Sequence, residues 1–165
     1  MIFLTVGTQF PFDRLVRTVD DLAGGGAIAE DIFAQIGDST YKPRNFEAVA
    51  SLDKRAFDER FVTASAIISH AGMGTIAMAM EHGKSLLAMP RRRKYGEVVN
   101  DHQEGLAIKF AACGHILVAR DEQELPAGIG LLKTFVPRPR QVNSDAVVQR
   151  ISAFLDSLKR ERASV

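Results

Sequence analysis

Residues 69–103, SHAGMGTIAMAMEHGKSLLAMPRRRKYGEVVNDHQ, decide how the chain is read. Just before them, Ala66-Ile67-Ile68 is a β-branched run that predicts a buried strand. Ser69 to Thr75 is rich in small residues, with glycines at 72 and 74, and predicts a turn. An apolar helical stretch from Ile76 to His82 follows, Gly83 stops it, and Leu86-Leu87-Ala88-Met89 predicts the next buried strand. Strand, glycine turn, helix and strand make one crossover unit of a parallel sheet. Ligands of such sheets collect beyond the C-terminal ends of the strands. A glycine turn lets a phosphate come close to the backbone, and the helix N-terminus behind it offers free N–H groups and a positive dipole end. This stretch is therefore the candidate anion or nucleotide site.

The alternation continues outward from this unit. Toward the N-terminus, Ile2 to Val6 predicts a first strand, and Gly7-Thr8-Gln9 with Pro11 breaks it. Asp13 is placed to cap a helix carrying Leu15, Val16, Val19 and Leu22 on one face. Ile32 to Ile36 predicts a second strand, Phe46 to Val49 a short one, and Asp53 to Ala64 a helix. Toward the C-terminus, Glu97 to Ala112 predicts a long helix with Gly114 at its C′ position. His115 to Val118 predicts a strand, and Asp121 to Leu132 a helix weakened by Pro126. A last helix over 142–163 carries Val147, Ile151, Phe154, Leu155 and Leu158 at helical spacing. Its apolar stripe packs on the chain's own sheet or faces a partner. The expectation is an α/β fold with a mostly parallel sheet and a single domain over 1–165.

Composition narrows the function classes. A formal charge of +1 argues against a whole-protein electrostatic role in nucleic-acid binding. Cys113 is the only cysteine, which excludes an internal disulfide and a cysteine-rich metal site. The N-terminal apolar run is short for a signal peptide, and no apolar run approaches the roughly 20 residues that span a bilayer. Membrane contact is expected through a surface or a partner.

VGTQFPFDRLV at residues 6–16, followed in order by SHAGMGT, EHGK and NDHQ, resembles the donor-binding half of GT-B glycosyltransferases. HAGMGTIAMAMEHGKS and PRRRKYGEVVNDHQ look most like the small stand-alone subunits of two-part bacterial exopolysaccharide glycosyltransferases. These are related to the soluble subunit of the dolichol-linked UDP-GlcNAc transferase. The resemblance implies a Rossmann-like fold equivalent to the C-terminal half of a GT-B enzyme, and a UDP-sugar as substrate with no cofactor and no bound metal. It also implies a separate, membrane-anchored acceptor-binding subunit that brings this chain from the cytoplasm to the inner face of the plasma membrane. The acceptor would be a lipid-linked saccharide, and the donor sugar glucuronate or N-acetylglucosamine. The alternative reading is a non-catalytic nucleotide-sugar-binding regulatory or scaffold subunit. An unpaired apolar face would let the isolated chain form a homodimer.

The expected donor-binding residues follow from these motifs. Ala71, Gly72, Met73, Gly74 and Thr75 would hold the diphosphate through amides and the Thr75 hydroxyl. His70, at the strand end, would contact phosphate or ribose or face the acceptor; it is only a weak candidate for catalysis, since the base is expected in the partner. Gly7, Thr8 and Gln9 would face the same crevice from the first strand. Asn100, Asp101, His102 and Gln103 would cap a helix and bind sugar hydroxyls. The Arg91-Arg92-Arg93-Lys94 run would neutralise a diphosphate, bind a uronate carboxylate or touch anionic lipid. The family's usual ribose glutamate falls on Met78, which cannot accept two strong hydrogen bonds. Glu81 is the candidate replacement, or else an ordinary helix-end carboxylate.

Overall fold

The computed structural model describes residues 1–140 and 148–156. Strands β1 (Ile2–Thr5), β2 (Ile32–Gln35), β3 (Glu47–Val49), β4 (Ala66–His70), β5 (Leu86–Met89) and β6 (Leu117–Val118) form a parallel sheet in the order β3-β2-β1-β4-β5-β6. Helices α1 (Asp13–Gly24), α2 (Lys54–Thr63), α3 (Met73–Glu81), α4 (His102–Ala112) and α5 (Leu125–Leu132) cover it, with a 3-10 turn at Arg93–Tyr95.

The continuous apolar runs of β1 and β5 are buried end to end because helices lie on both faces. Alternate residues then feed two cores. Ile2 and Leu4 point to the side of α1 and α5, against Val16, Val19, Leu125 and Ile129. Phe3 points to the side of α2, α3 and α4, with Phe61, Ile76, Ala79 and Ala107. Phe3 meets Phe57 edge-on, with ring centroids 5.4 Å apart.

Several boundaries differ from the expected ones, each for a local reason. Asp13 is the first residue of α1 and not its cap; Phe12 holds the cap position without a side-chain bond. The Asp13 carboxylate accepts instead from Ser39 Oγ at 2.6 Å and from Thr40. The helix α3 begins at Met73, so Gly74 and Thr75 belong to its first turn and not to a loop. The helix α4 begins at His102 and not at Glu97. Gly96 is left-handed, with φ +71°, and ends the 3-10 turn there. The Glu97 carboxylate is held elsewhere, 2.8 Å from Arg14 Nε and 2.9 Å from the Arg92 amide. The last strand is shorter than expected, Leu117–Val118.

Residues 148–156 are helical, within the expected last helix. Of its expected apolar stripe, Ile151, Phe154 and Leu155 are exposed, as is the neighbouring Val148. Val147, Leu158 and the rest of 142–163 lie outside the described residues. Among the described residues, no helix is long and apolar enough to cross a membrane.

Candidate functional site

Parallel pairing in register brings distant segments together. Thr5 pairs with Ser69, and His70 with Met89. The segments leaving β1, β4 and β5 therefore emerge side by side at the C-terminal edge of the sheet. Between them lies a crevice of about 410 Å³ lined by Gly7, Thr8, Gln9, His70, Gly72, Met73, Gly74, Thr75, Arg91, His102 and Gln103, with Phe57 and Met78 as apolar wall. A cavity of about 440 Å³ lies at the other end of the strands, around Ile2, Ala66 and Ile129. None of the expected site residues reaches that second cavity.

The crevice floor is built around His70. Gly7 sits at φ +75°, where the chain turns sharply out of β1. A Cβ on Gly7 would lie 2.8 Å from His70 Cε1, and one on Gly72 only 2.1 Å from His70 Nε2. The imidazole therefore occupies space that two glycines leave open. Burial and the nearby Arg91 guanidinium lower its pKa to about 4, against the opposing pull of the Thr5 carbonyl. The ring is neutral at physiological pH.

The first turn of α3 faces the same space. No side chain caps this helix, whose N-cap is Gly72, so the leading amides of Met73, Gly74 and Thr75 are offered to the crevice.

Arg91 also lines the crevice and is the one member of the basic run that does so. It is 3% exposed. Its Nη2 donates to the Val6 carbonyl at 2.6 Å and to the Phe10 carbonyl, while its amide donates to Gln103 Oε1 at 3.1 Å. Burial lowers its pKa to about 10, with Glu97 opposing, and it stays a cation. Its Nε is buried without a hydrogen-bond partner.

The remaining expected residues separate. Arg92 turns to Glu104, at 3.3 Å, and to the Arg120 carbonyl, while Arg93 and Lys94 are exposed outside the crevice. A joint grip by three guanidiniums is therefore excluded by geometry. Ala71 is fully buried in the core and presents no side chain to a ligand. Asn100 and Asp101 are exposed and do not line the crevice. The Asp101 carboxylate accepts from the Arg93 amide at 2.7 Å and makes no side-chain cap, and Asn100 Oδ1 accepts from the His102 amide at 3.3 Å. Glu81 ends α3, roughly 12 Å along the axis from Met73 at 1.5 Å per residue, and is exposed. It does not line the crevice, whereas Met78, three residues earlier, lines it as an apolar residue.

Sequence reasoning missed three contributors. Phe57 reads as an ordinary core residue of α2, yet it lines the crevice. Arg14 and Glu97 lie 83 positions apart, and nothing local signals that they clamp the loop after β5.

Residues 1–157 match the glycosyltransferase family 28 C-terminal domain. The chain belongs to that family. Over 124 residues, this family 28 domain is 32% identical to the human UDP-N-acetylglucosamine transferase subunit ALG13, covering 70% of the chain. It spans only 10% of that relative's length. Its fold is similar to the solution structure of ALG13, with a TM-score of 0.57 at 19% identity, over 91% of this chain and 93% of that one. It is also similar to Acinetobacter baumannii MurG, with a TM-score of 0.55 at 20% identity, over 80% of this chain and 40% of that one. A UDP-glucose:anthocyanidin 3-O-glucosyltransferase in complex with UDP gives 0.59 at 10% identity, over 79% and 30%. The fold of the family 28 domain is thus the Rossmann-like C-terminal half of a GT-B glycosyltransferase.

Proposed function

We propose that this chain is the donor-binding subunit of a two-component, inverting glycosyltransferase that takes its sugar from a UDP-sugar. The observation that carries the reading is the uncapped N-terminus of α3 at a crevice that the buried Arg91 also lines. Two positive features converge there on the place a diphosphate would occupy. The human relative is by name a subunit of a UDP-N-acetylglucosamine transferase, which supports a divided enzyme here.

In the reaction, the acceptor hydroxyl oxygen bonds to the anomeric carbon and its proton passes to a base on the acceptor-binding subunit. The bond from the anomeric carbon to the diphosphate oxygen breaks, and UDP leaves with the electron pair. The Met73, Gly74 and Thr75 amides and the dipole of α3 stabilise the charge that develops on the leaving group. No cofactor and no metal enter this scheme. The donor sugar is N-acetylglucosamine or glucuronate, the acceptor a lipid-linked saccharide of exopolysaccharide synthesis, and the partner a membrane-anchored subunit. That partner holds the chain at the cytoplasmic face of the plasma membrane. Without it, the isolated chain forms a homodimer through the face left uncovered.

Co-expression with a candidate partner and radiolabelled UDP-sugars tests the scheme. Transfer by the pair in EDTA, and by neither chain alone, is expected. Activity of this chain alone overturns the division of labour. Full activity of the partner alone makes this chain a scaffold.

A further inference from the structure

We propose that the exposed turn Arg93–Tyr95, with Val99 in the same loop, rests on an anionic lipid surface, so that this chain touches the membrane directly and not only through its partner. This rests on the reading of a lipid-linked acceptor and deepens it.

The argument begins with how the basic run is divided. Arg91 is buried and braces the Val6 and Phe10 carbonyls. Arg92 is taken by Glu104 and the Arg120 carbonyl. Arg93 and Lys94 are exposed, and among the described residues neither forms an ion pair. The acids of the same loop do not answer them. Glu97 is buried and spent on Arg14 and the Arg92 amide. Asp101 takes the Arg93 backbone amide at 2.7 Å and not its guanidinium. Two uncompensated cations therefore stand at one turn of a chain whose formal charge is only +1.

The loop also carries apolar surface. Tyr95 is 51% exposed and Val99 73% exposed. Lys94 Nζ lies 4.6 Å from the centre of the Tyr95 ring. Cations beside an exposed tyrosine suit the headgroup region of a bilayer, where the charges meet phosphates and the ring sits at the boundary with the acyl chains. An acidic protein face would match the cations alone.

The turn is held ready for such a contact. Glu97 binds the amide at its start, and the Gly96 amide closes it on the Arg93 carbonyl at 2.9 Å. The Arg14 guanidinium stacks on Tyr95, 4.7 Å from the ring centre. Docking then orders little more than side-chain ends. The turn follows β5, on the edge of the sheet where the crevice opens. A lipid contact there keeps the crevice mouth beside the headgroups, where a lipid-linked saccharide is presented.

Flotation of the full chain tests this, with vesicles of phosphatidylcholine alone and of phosphatidylcholine mixed with phosphatidylglycerol. Binding to the mixed vesicles should be at least about tenfold stronger, and raising the salt to about 0.5 M should remove the difference. Arg93→Glu with Lys94→Glu should lower it by more than about tenfold, since each cation near such a surface is worth about fivefold. Arg55→Glu with Lys109→Glu makes the same change of charge elsewhere on the exposed surface, and should leave binding within twofold of wild type. An equal loss in that control assigns binding to overall charge and overturns the proposal, as does equal binding to both kinds of vesicle. The chain has no tryptophan, so Tyr95→Trp supplies a single probe. Its emission should move to the blue on mixed vesicles; an unshifted emission from vesicle-bound chain overturns the contact at this turn.

Two further measurements separate this from the other readings. Arg93 and Lys94 do not line the crevice, so calorimetry of the double variant should give wild-type UDP-sugar affinity. Failure to bind mixed vesicles by a wild-type chain that binds UDP-sugar overturns the lipid contact alone. Vesicle binding by a wild-type chain that takes neither UDP nor UDP-sugar overturns the donor reading and leaves the contact standing. A double variant that floats like wild type yet no longer co-purifies with the candidate partner in detergent makes the turn a protein interface and overturns the proposal.

Discussion

At Gly72 the missing side chain is what admits the imidazole to the crevice. A methyl group there would lie 2.1 Å from His70 Nε2, well inside van der Waals contact, so His70 must swing away from the α3 amides. Gly72→Ala should therefore reduce UDP-sugar affinity more than tenfold while the thermal midpoint moves little, because alanine costs only about 1 kcal/mol at a cap position. Glu81→Ala is the paired control. The Glu81 carboxylate is exposed at the far end of α3, so affinity should stay within twofold of wild type. A large loss with Glu81→Ala, or none with Gly72→Ala, would contradict this layout of the crevice. Arg91 shows how composition misleads at this scale. A run of four cations reads as one functional patch. The backbone turns each one differently, and the first faces inward to brace the Val6 and Phe10 carbonyls.

Among the elements, the loop between β5 and α4 depends on a contact that no local pattern announces. Arg14, on α1, bonds Glu97 through Nε and Nη2, Glu122 through Nη1 and the Pro90 carbonyl through Nη2. Its guanidinium also stacks on Phe12 and Tyr95. Glu97 in turn receives the Arg92 amide. This knot draws Glu97 out of helical register and postpones α4 to His102, which places Gln103 under the Arg91 amide. Glu97→Ala leaves a half-buried guanidinium short of its main partner and an amide unpaired. The expected loss is about 2–3 kcal/mol in urea unfolding with an unchanged denaturant slope; a loss below about 0.5 kcal/mol would mean the loop is held by its other contacts. The helix α3 departs from its sequence pattern for a different reason. Glycines at 72 and 74 read as turn because glycine disfavours helix interiors, yet Gly74 sits in the first turn, where packing of Ile76 and Ala79 on the sheet outweighs that preference.

At the scale of the whole molecule, buried ionisable groups set the acid limit of stability. The pKa of His70 is about 4 when folded and about 6.5 when unfolded, so between these values the unfolded chain binds the extra proton. Stability from His70 is therefore complete above pH 6.5 and falls as the solution is acidified toward pH 4, by at most about 1.4 kcal/mol per pH unit. For Asp13 and Asp20, burial pushes the pKa up, but hydrogen bonds from the Ser39–Asn45 segment outweigh it and lower both. Their contribution is present above the ordinary carboxylate value and is lost below it. Urea unfolding across pH 4–8 should show the first decline starting near pH 6.5, and His70→Gln should remove that part; an unchanged slope in the variant would refute the assignment. The sequence by itself determined the class of fold and the edge of the sheet where the candidate crevice opens. Strands buried on both faces must be continuously apolar, and the crossover pattern makes them parallel, so both facts are written in local periodicity. Only the tertiary structure decided which residues share the crevice. It paired Thr5 with Ser69 and His70 with Met89, turned Arg91 inward, sent Glu81 to the far end of α3 and exposed the stripe over 148–156. Those outcomes depend on contacts between segments tens of residues apart, and local pattern carries no information about them.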